Sequence, residues 1–164
     1  MELTKHGDNS IKIKLKKLTI VTDPEKKTEA EAAIVTVGVP PKTLYEEYPL
    51  VIEGPGEYEK NGVYIKGEKV GDGVTYEIID GAKIHLAPSS SLEKFKEEDD
   101  IDVLIVKTMS VVDESIFSSF SSSIVVLYGP SEHITIKSES IKKLNKVNLK
   151  NKDELIGSVI VLES

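Results

Sequence analysis

Apolar residues in this chain come in short runs rich in Ile, Val and Leu, each broken by turn-forming residues. That pattern restricts the fold to one built mainly of strands. Ile11, Ile13 and Leu15 alternate with Lys12, Lys14 and Lys16, the period of two that leaves one strand face buried. A second run, 18–21, follows at once and stops at Asp23-Pro24, so the two are expected to pair as a hairpin. The stretches 33–37, 101–106 and 124–127 are the continuous apolar runs of strands covered on both faces, and they predict Ile34, Val35, Val103, Ile105, Val125 and Val126 as core. Runs 76–79 and 84–86 flank Asp80-Gly81, a two-residue hairpin signal, and 157–162 reads as a last strand. Helices are predicted over 91–97, over 112–120 with Ser110 as N-cap, and over 138–144. Strands outnumber helices and the later ones alternate with them, which predicts a mixed α/β sandwich. With 164 residues, no internal repeat and no linker, one domain over 1–164 is expected.

Charge removes several function classes. Lys and Arg total 21 against 28 Asp and Glu, a formal net charge of −7, and every one of those basic residues is Lys. Without Arg there is no planar bidentate clamp for phosphate or carboxylate. A net-negative chain is also poorly suited to nucleic acid, where affinity comes from neutralising phosphates. With no Cys there is no disulfide, thiolate nucleophile or Cys-based metal site. No apolar run approaches the roughly 18 residues of a membrane span, and the polar start 1–9 is unlike a signal peptide. The expectation is a cytoplasmic protein that binds neither membrane nor nucleic acid.

Few stretches look chemical. Glu53-Gly54-Pro55-Gly56-Glu57-Tyr58 leads into Asn61-Gly62-Val63-Tyr64-Ile65-Lys66-Gly67. Its glycines and proline predict a sharp structural corner followed by a tight hairpin, rather than an acid–base site at Glu53 or Glu57. His6, His85 and His133 fall in no metal-binding spacing, and zinc normally takes three or four ligands. A Ser nucleophile among Ser89, Ser90 and Ser91 with His85 as base is the one alternative catalytic pairing, although no G-x-S-x-G elbow is present. The acidic run 97–100 lacks the alternation of a calcium loop and reads as solvated.

Several segments, in order, resemble the metallo-β-lactamase-fold hydrolases of the ascorbate-6-phosphate lactonase-like branch. They are Ile-Val-Thr-Asp-Pro at 20–24, the stretch 51–67, Asp-Gly-Ala-Lys-Ile-His-Leu at 80–86, Ile-Asp-Val-Leu-Ile-Val at 101–106, and the terminal Lys-Asp-Glu-Leu with Val-Ile-Val-Leu. The resemblance implies an αβ/βα sandwich of two mixed sheets, β-rich and trimmed, with a metal site on strand-end loops. It also implies that the ligands are gone. The family's H-x-H-x-D-H loop falls on Val39, Pro40, Pro41, Lys42, Thr43 and Leu44; its next ligand falls near Pro88, and its last histidine near Gly129. The vestigial positions are therefore Val39, Pro41, Thr43, Leu44, Pro88 and Gly129. The stretch 67–74 reads as a brief turn over which Val39, Pro40, Pro41 and Leu44 are expected to pack and close the groove. The implied protein binds no metal or other cofactor, is catalytically inactive, and serves as a binding, scaffolding or regulatory module with a protein partner or a second copy. The competing expectation is a lactone, ester or phosphodiester hydrolase with a non-standard or metal-independent site near His85 and Ser89-Ser90-Ser91.

Overall fold

The computed structural model describes residues 1–38, 41–98 and 100–164. Among these, two mixed sheets face each other. The first contains β1 (Glu2–Lys5), β2 (Ile11–Lys14), β3 (Thr19–Thr22), β4 (Ala32–Ile34), β5 (Leu50–Ile52) and β13 (Lys146–Asn148), in the order β13-β1-β2-β3-β4-β5. The second contains β6 (Gly56–Lys60), β7 (Val63–Val70), β8 (Gly73–Ile79), β9 (Lys83–Pro88), β10 (Val103–Lys107), β11 (Ile124–Tyr128), β12 (Lys142–Leu144) and β14 (Val159–Leu162), in the order β12-β14-β11-β10-β9-β8-β7-β6. Strands β12, β14, β11, β10 and β9 run parallel, and β9 to β6 continue as an antiparallel meander. The two-sheet sandwich expected from the sequence is the one observed, with thin helical cover: the four-residue helix α1 (Lys42–Tyr45) and short 3₁₀ segments.

The core follows from strand alternation. Leu3, Ile13, Ile20, Ile34, Ile65, Ile78, Val103, Ile105, Ile124, Val126 and Ile160 point between the sheets and are fully buried. The intervening residues of the second sheet, among them Leu104, Val106, Val125 and Leu127, lie under Leu92, Phe95, Phe117 and Phe120 of the 3₁₀ segments Ser89–Phe95 and Glu114–Phe120. The six residues predicted as core are all buried. Gly54-Pro55-Gly56 is the structural corner it promised to be: Glu53 and Glu57 are exposed, and a Cβ at Gly67 would stand 2.7 Å from the Gly54 carbonyl. Asn61 and Gly62, at φ 55° and 79°, close the two-residue turn between β6 and β7.

Four local expectations change. The pairing Ile79↔Lys83 leaves three residues, 80–82, in the β8–β9 turn, with Gly81 left-handed at φ 69°. Asp113, not Ser110, caps the segment after β10, accepting from the Ser115 N–H at 2.9 Å. Residues 67–74 are no brief turn, because β7 and β8 pair through Val70↔Gly73 and only Gly71-Asp72 turns. The helix expected over 138–144 is absent: Lys142–Leu144 instead forms β12, paired in parallel with Ile160–Leu162 of β14. An open sheet edge gave that segment's backbone groups partners that outweighed a marginal helix propensity.

Candidate functional site

The inner rows of three strands converge at one end of the sandwich. Along β10, Val103 and Ile105 enter the core, and the next residue of that row is Lys107, only 5% exposed. The row through Ala32 and Ile34 of β4 continues to Thr36, and the row through Ile20 of β3 to Thr22, both buried. Asp23 follows Thr22 at φ 38°, a left-handed conformation that Asp tolerates better than most residues. Its own N–H donates to the Ile34 carbonyl at 2.9 Å.

These groups form one network across the two sheets. Lys107 Nζ donates to Asp23 Oδ2 at 2.8 Å and stands 3.4 Å from Thr36 Oγ1. The Thr36 N–H donates to Asp23 Oδ1 at 2.8 Å, and its hydroxyl donates to Asp23 Oδ2. Nearby, the Tyr128 and Thr22 hydroxyls bond at 3.2 Å, and the Tyr76 hydroxyl donates to the Val35 carbonyl at 2.7 Å. Burial pushes the phenols of Tyr45, Tyr76 and Tyr128 far above their usual range, and the Asp23 charge adds to this in each case. The Asp23 carboxylate is thus ringed by neutral donors and one cation. Sequence reasoning missed this network. Each half carried a local signal, a lysine next in step after Val103 and Ile105 and an aspartate closing a buried strand, but nothing local joins the two.

The vestigial positions scatter around it. Val39 and Pro40 lie outside the described residues. Pro41 and Thr43 are exposed. Leu44 is half-buried and packs with Val21, Ala33, Val35 and Tyr45 on the outer face of the first sheet, so it does not close the groove against residues 67–74 as expected. It is the β7–β8 hairpin that reaches the end of β4, where the Val74 N–H donates to the Thr36 carbonyl at 3.2 Å. A cleft of about 320 Å³ is left beside it, lined by Val37, Val70, Pro88, Ser90 and Met109 among others. Pro88 is the buried last residue of β9 and the cross-strand partner of Lys107. Gly129 follows β11, where a Cβ would sit 2.0 Å from Thr108 Oγ1; its carbonyl accepts from Lys5 Nζ at 2.9 Å.

The histidines lie apart from one another. His6 follows β1, and His133 donates from Nδ1 to the Thr108 carbonyl at 3.0 Å. His85 is on the outer row of β9, 5% exposed, edge-on to Phe95 with centroids 5.1 Å apart. Its Nε2 stands 3.3 Å from Glu77 Oε2, out of line for a hydrogen bond, and 3.7 Å from Glu98 Oε2, too far for one. Burial pushes this imidazole down, and the two carboxylates oppose that in part. Ser89 comes four residues later, about 13 Å along an extended strand. It lines a different cleft, and its Oγ accepts from the Met109 N–H at 3.0 Å. His85 and Ser89 therefore form no catalytic pair.

Among the described residues, no group of three or more His, Asp or Glu side chains is placed to hold a metal ion. The carboxylates here are Asp23, already bonded to an ammonium, and Asp72 of the adjacent cleft; among the described residues they belong to no group of three ligands, so the space does not fit the metal that the resemblance implies.

In solved structures the chain is similar to a proposed Zn-dependent hydrolase of the metallo-β-lactamase superfamily from Thermotoga maritima. The TM-score is 0.71 at 18% identity, over 99% of this chain and 100% of that one. The fold is that of the metallo-β-lactamases. A second likeness, to the metallo-β-lactamase fold protein YhfI from Bacillus subtilis, has a TM-score of 0.50 at 10% identity, over 94% of this chain and 89% of that one. No protein-family model and no curated protein matches the sequence. Among the described residues, no helix of this metallo-β-lactamase-like sandwich is long and apolar enough to cross a membrane.

Proposed function

We propose that this chain is a catalytically inactive, metal-free protein of the metallo-β-lactamase fold, degenerate from the ascorbate-6-phosphate lactonase-like branch, that acts as a binding, scaffolding or regulatory module. The observation that carries this reading is the composition of the strand ends. A hydrolytic metal must bring a bound water to a pKa of about 7 and polarise the scissile group. Here Pro41, Thr43, Leu44, Pro88 and Gly129 stand where the resemblance puts ligands, and the buried charge at that end is matched by Lys107. The partner is another protein or a second copy of the chain, since a net charge of −7 without Arg favours neither nucleic acid nor an anionic membrane. The test is elemental analysis of protein produced in metal-supplemented medium, joined to a lactonase, esterase and phosphodiesterase screen with and without added zinc or manganese. Well under one metal per chain and no turnover are expected. A tightly bound transition metal at about one per chain, or turnover abolished by chelation, overturns the reading. Turnover that survives chelation revives the metal-independent hydrolase. Co-purification followed by mass spectrometry names the partner.

A further inference from the structure

We propose that the Lys107 ammonium is the resident cation of the strand-end site, supplied by the chain itself, and that it clamps the two sheets together through Asp23 and Thr36. The inference rests on the reading that this site holds no metal. Its geometry is independent of any activity. Lys107 belongs to the second sheet, while Asp23 and Thr36 follow β3 and β4 of the first. The ammonium spans the gap at 2.8 Å from one and 3.4 Å from the other. The Lys107 backbone pairs with Pro88 of β9 and Tyr128 of β11, so the residue sits beside two of the vestigial positions, Pro88 and Gly129.

Charge makes the cation necessary. The Asp23 side chain is 12% exposed and that of Lys107 is 6% exposed. A carboxylate this deep needs an opposite charge as well as hydrogen bonds, since burial otherwise removes hydration that nothing replaces. Two donors from Thr36 satisfy oxygens but bring no net charge. Among the described residues the one cation on this carboxylate is Lys107, and a tethered ammonium stays with the site, whereas a dissociable ion depends on its supply.

Chemical rescue tests this. Lys107→Ala deletes three methylenes and the ammonium, the atoms of n-propylammonium. The variant is expected to melt roughly 10 °C below the unmodified protein. Millimolar n-propylammonium should then recover several degrees, 1-propanol should recover none, and the unmodified protein should respond to neither. A melting point insensitive to the amine, or equally sensitive to the alcohol, overturns the proposal. If Lys107→Ala does not fold, Lys107→Met and the double variant Asp23→Asn/Lys107→Met decide. The double variant should melt well above Lys107→Met; equal melting points overturn the clamp. Metal found in the unmodified protein would overturn the functional reading, whereas failed rescue in a metal-free protein would overturn the clamp alone.

Discussion

Lys107 and His85 are both ionisable side chains at 5% exposure in neighbouring strands of one sheet, yet their surroundings differ in kind. Lys107 points inward, where the opposite sheet supplies an aspartate in line and a threonine beside it. His85 points outward into a cleft of about 330 Å³, with Glu77 close but unaligned, Glu98 farther off, and Nε2 without a hydrogen-bond partner among the described residues. The comparison teaches that burial alone says little about a titratable group. What matters is whether the facing element was built to meet it. An inner-row residue faces a second sheet with its own fixed rows; an outer-row residue faces a loop.

The largest effect should come from breaking the inner pair. Lys107→Met leaves Asp23 buried without its cation and is expected to cost about 3–5 kcal/mol, or roughly 10 °C of melting temperature. His85→Gln should cost less than about 1 kcal/mol, in the range of substitutions that break no paired network. Denaturant titrations that give the two variants equal losses would erase the contrast. Ile105→Ala removes the side chain preceding Lys107 on the same inner row and should cost about 2–4 kcal/mol; below about half a kcal/mol, that row does not carry the sandwich. Gly129→Ala pushes a methyl into Thr108, whose carbonyl oxygen would lie 3.0 Å away, and overpacking of this sort costs about 1–3 kcal/mol. A melting point unchanged in Gly129→Ala would mean that the end of β11 yields, and that the network beside it is soft.

The smallest effect is the one specific to the outer cleft. The folded His85 pKa lies below its ordinary value of 6.5, so the unfolded chain binds more protons once the pH falls below about 6.5. Stability should therefore be full above that pH and decline as pH falls through the lowered folded value. His85→Gln should flatten the decline between pH 7 and 5. His6 is also pushed down by burial and stays in both proteins, so the difference between the two profiles isolates His85. Identical profiles would show that the two carboxylates fully offset the burial.

Much of the fold was legible because strand alternation is a local code. Ile11 and Ile13 declare their face through the alternating lysines, Val103, Ile105, Val125 and Val126 declare burial through continuous apolar runs, and Asn61-Gly62 marks its turn by residue type. What stayed hidden depended on distant chain. Nothing near Lys142-Lys143-Leu144 announces that β14 will present a free edge to it. Nothing near Leu44 says that it will lie on the outer face with Tyr45 rather than over the β7–β8 hairpin. The site was half legible. Missing histidines can be read directly from a sequence, but the cation that meets Asp23 arrives from 84 residues away and is visible only once both sheets exist.

The pairing of β1 with β13 sets a timetable. Leu3 opposes Val147 and Thr4 opposes Lys146, so one edge of the first sheet is completed by residues far along the chain. During synthesis β1 and β2 can meet early as a hairpin, but the outer backbone groups of β1 must wait until most of the chain has emerged. Such non-local closure is slow, because the entropy of the long loop is lost before its contacts form. Over that interval β1 is an unprotected edge able to pair with another nascent chain. The sandwich is therefore most vulnerable to aggregation while still on the ribosome, and a variant that weakens Lys146–Asn148 should lower soluble yield more than it lowers the melting point of what survives.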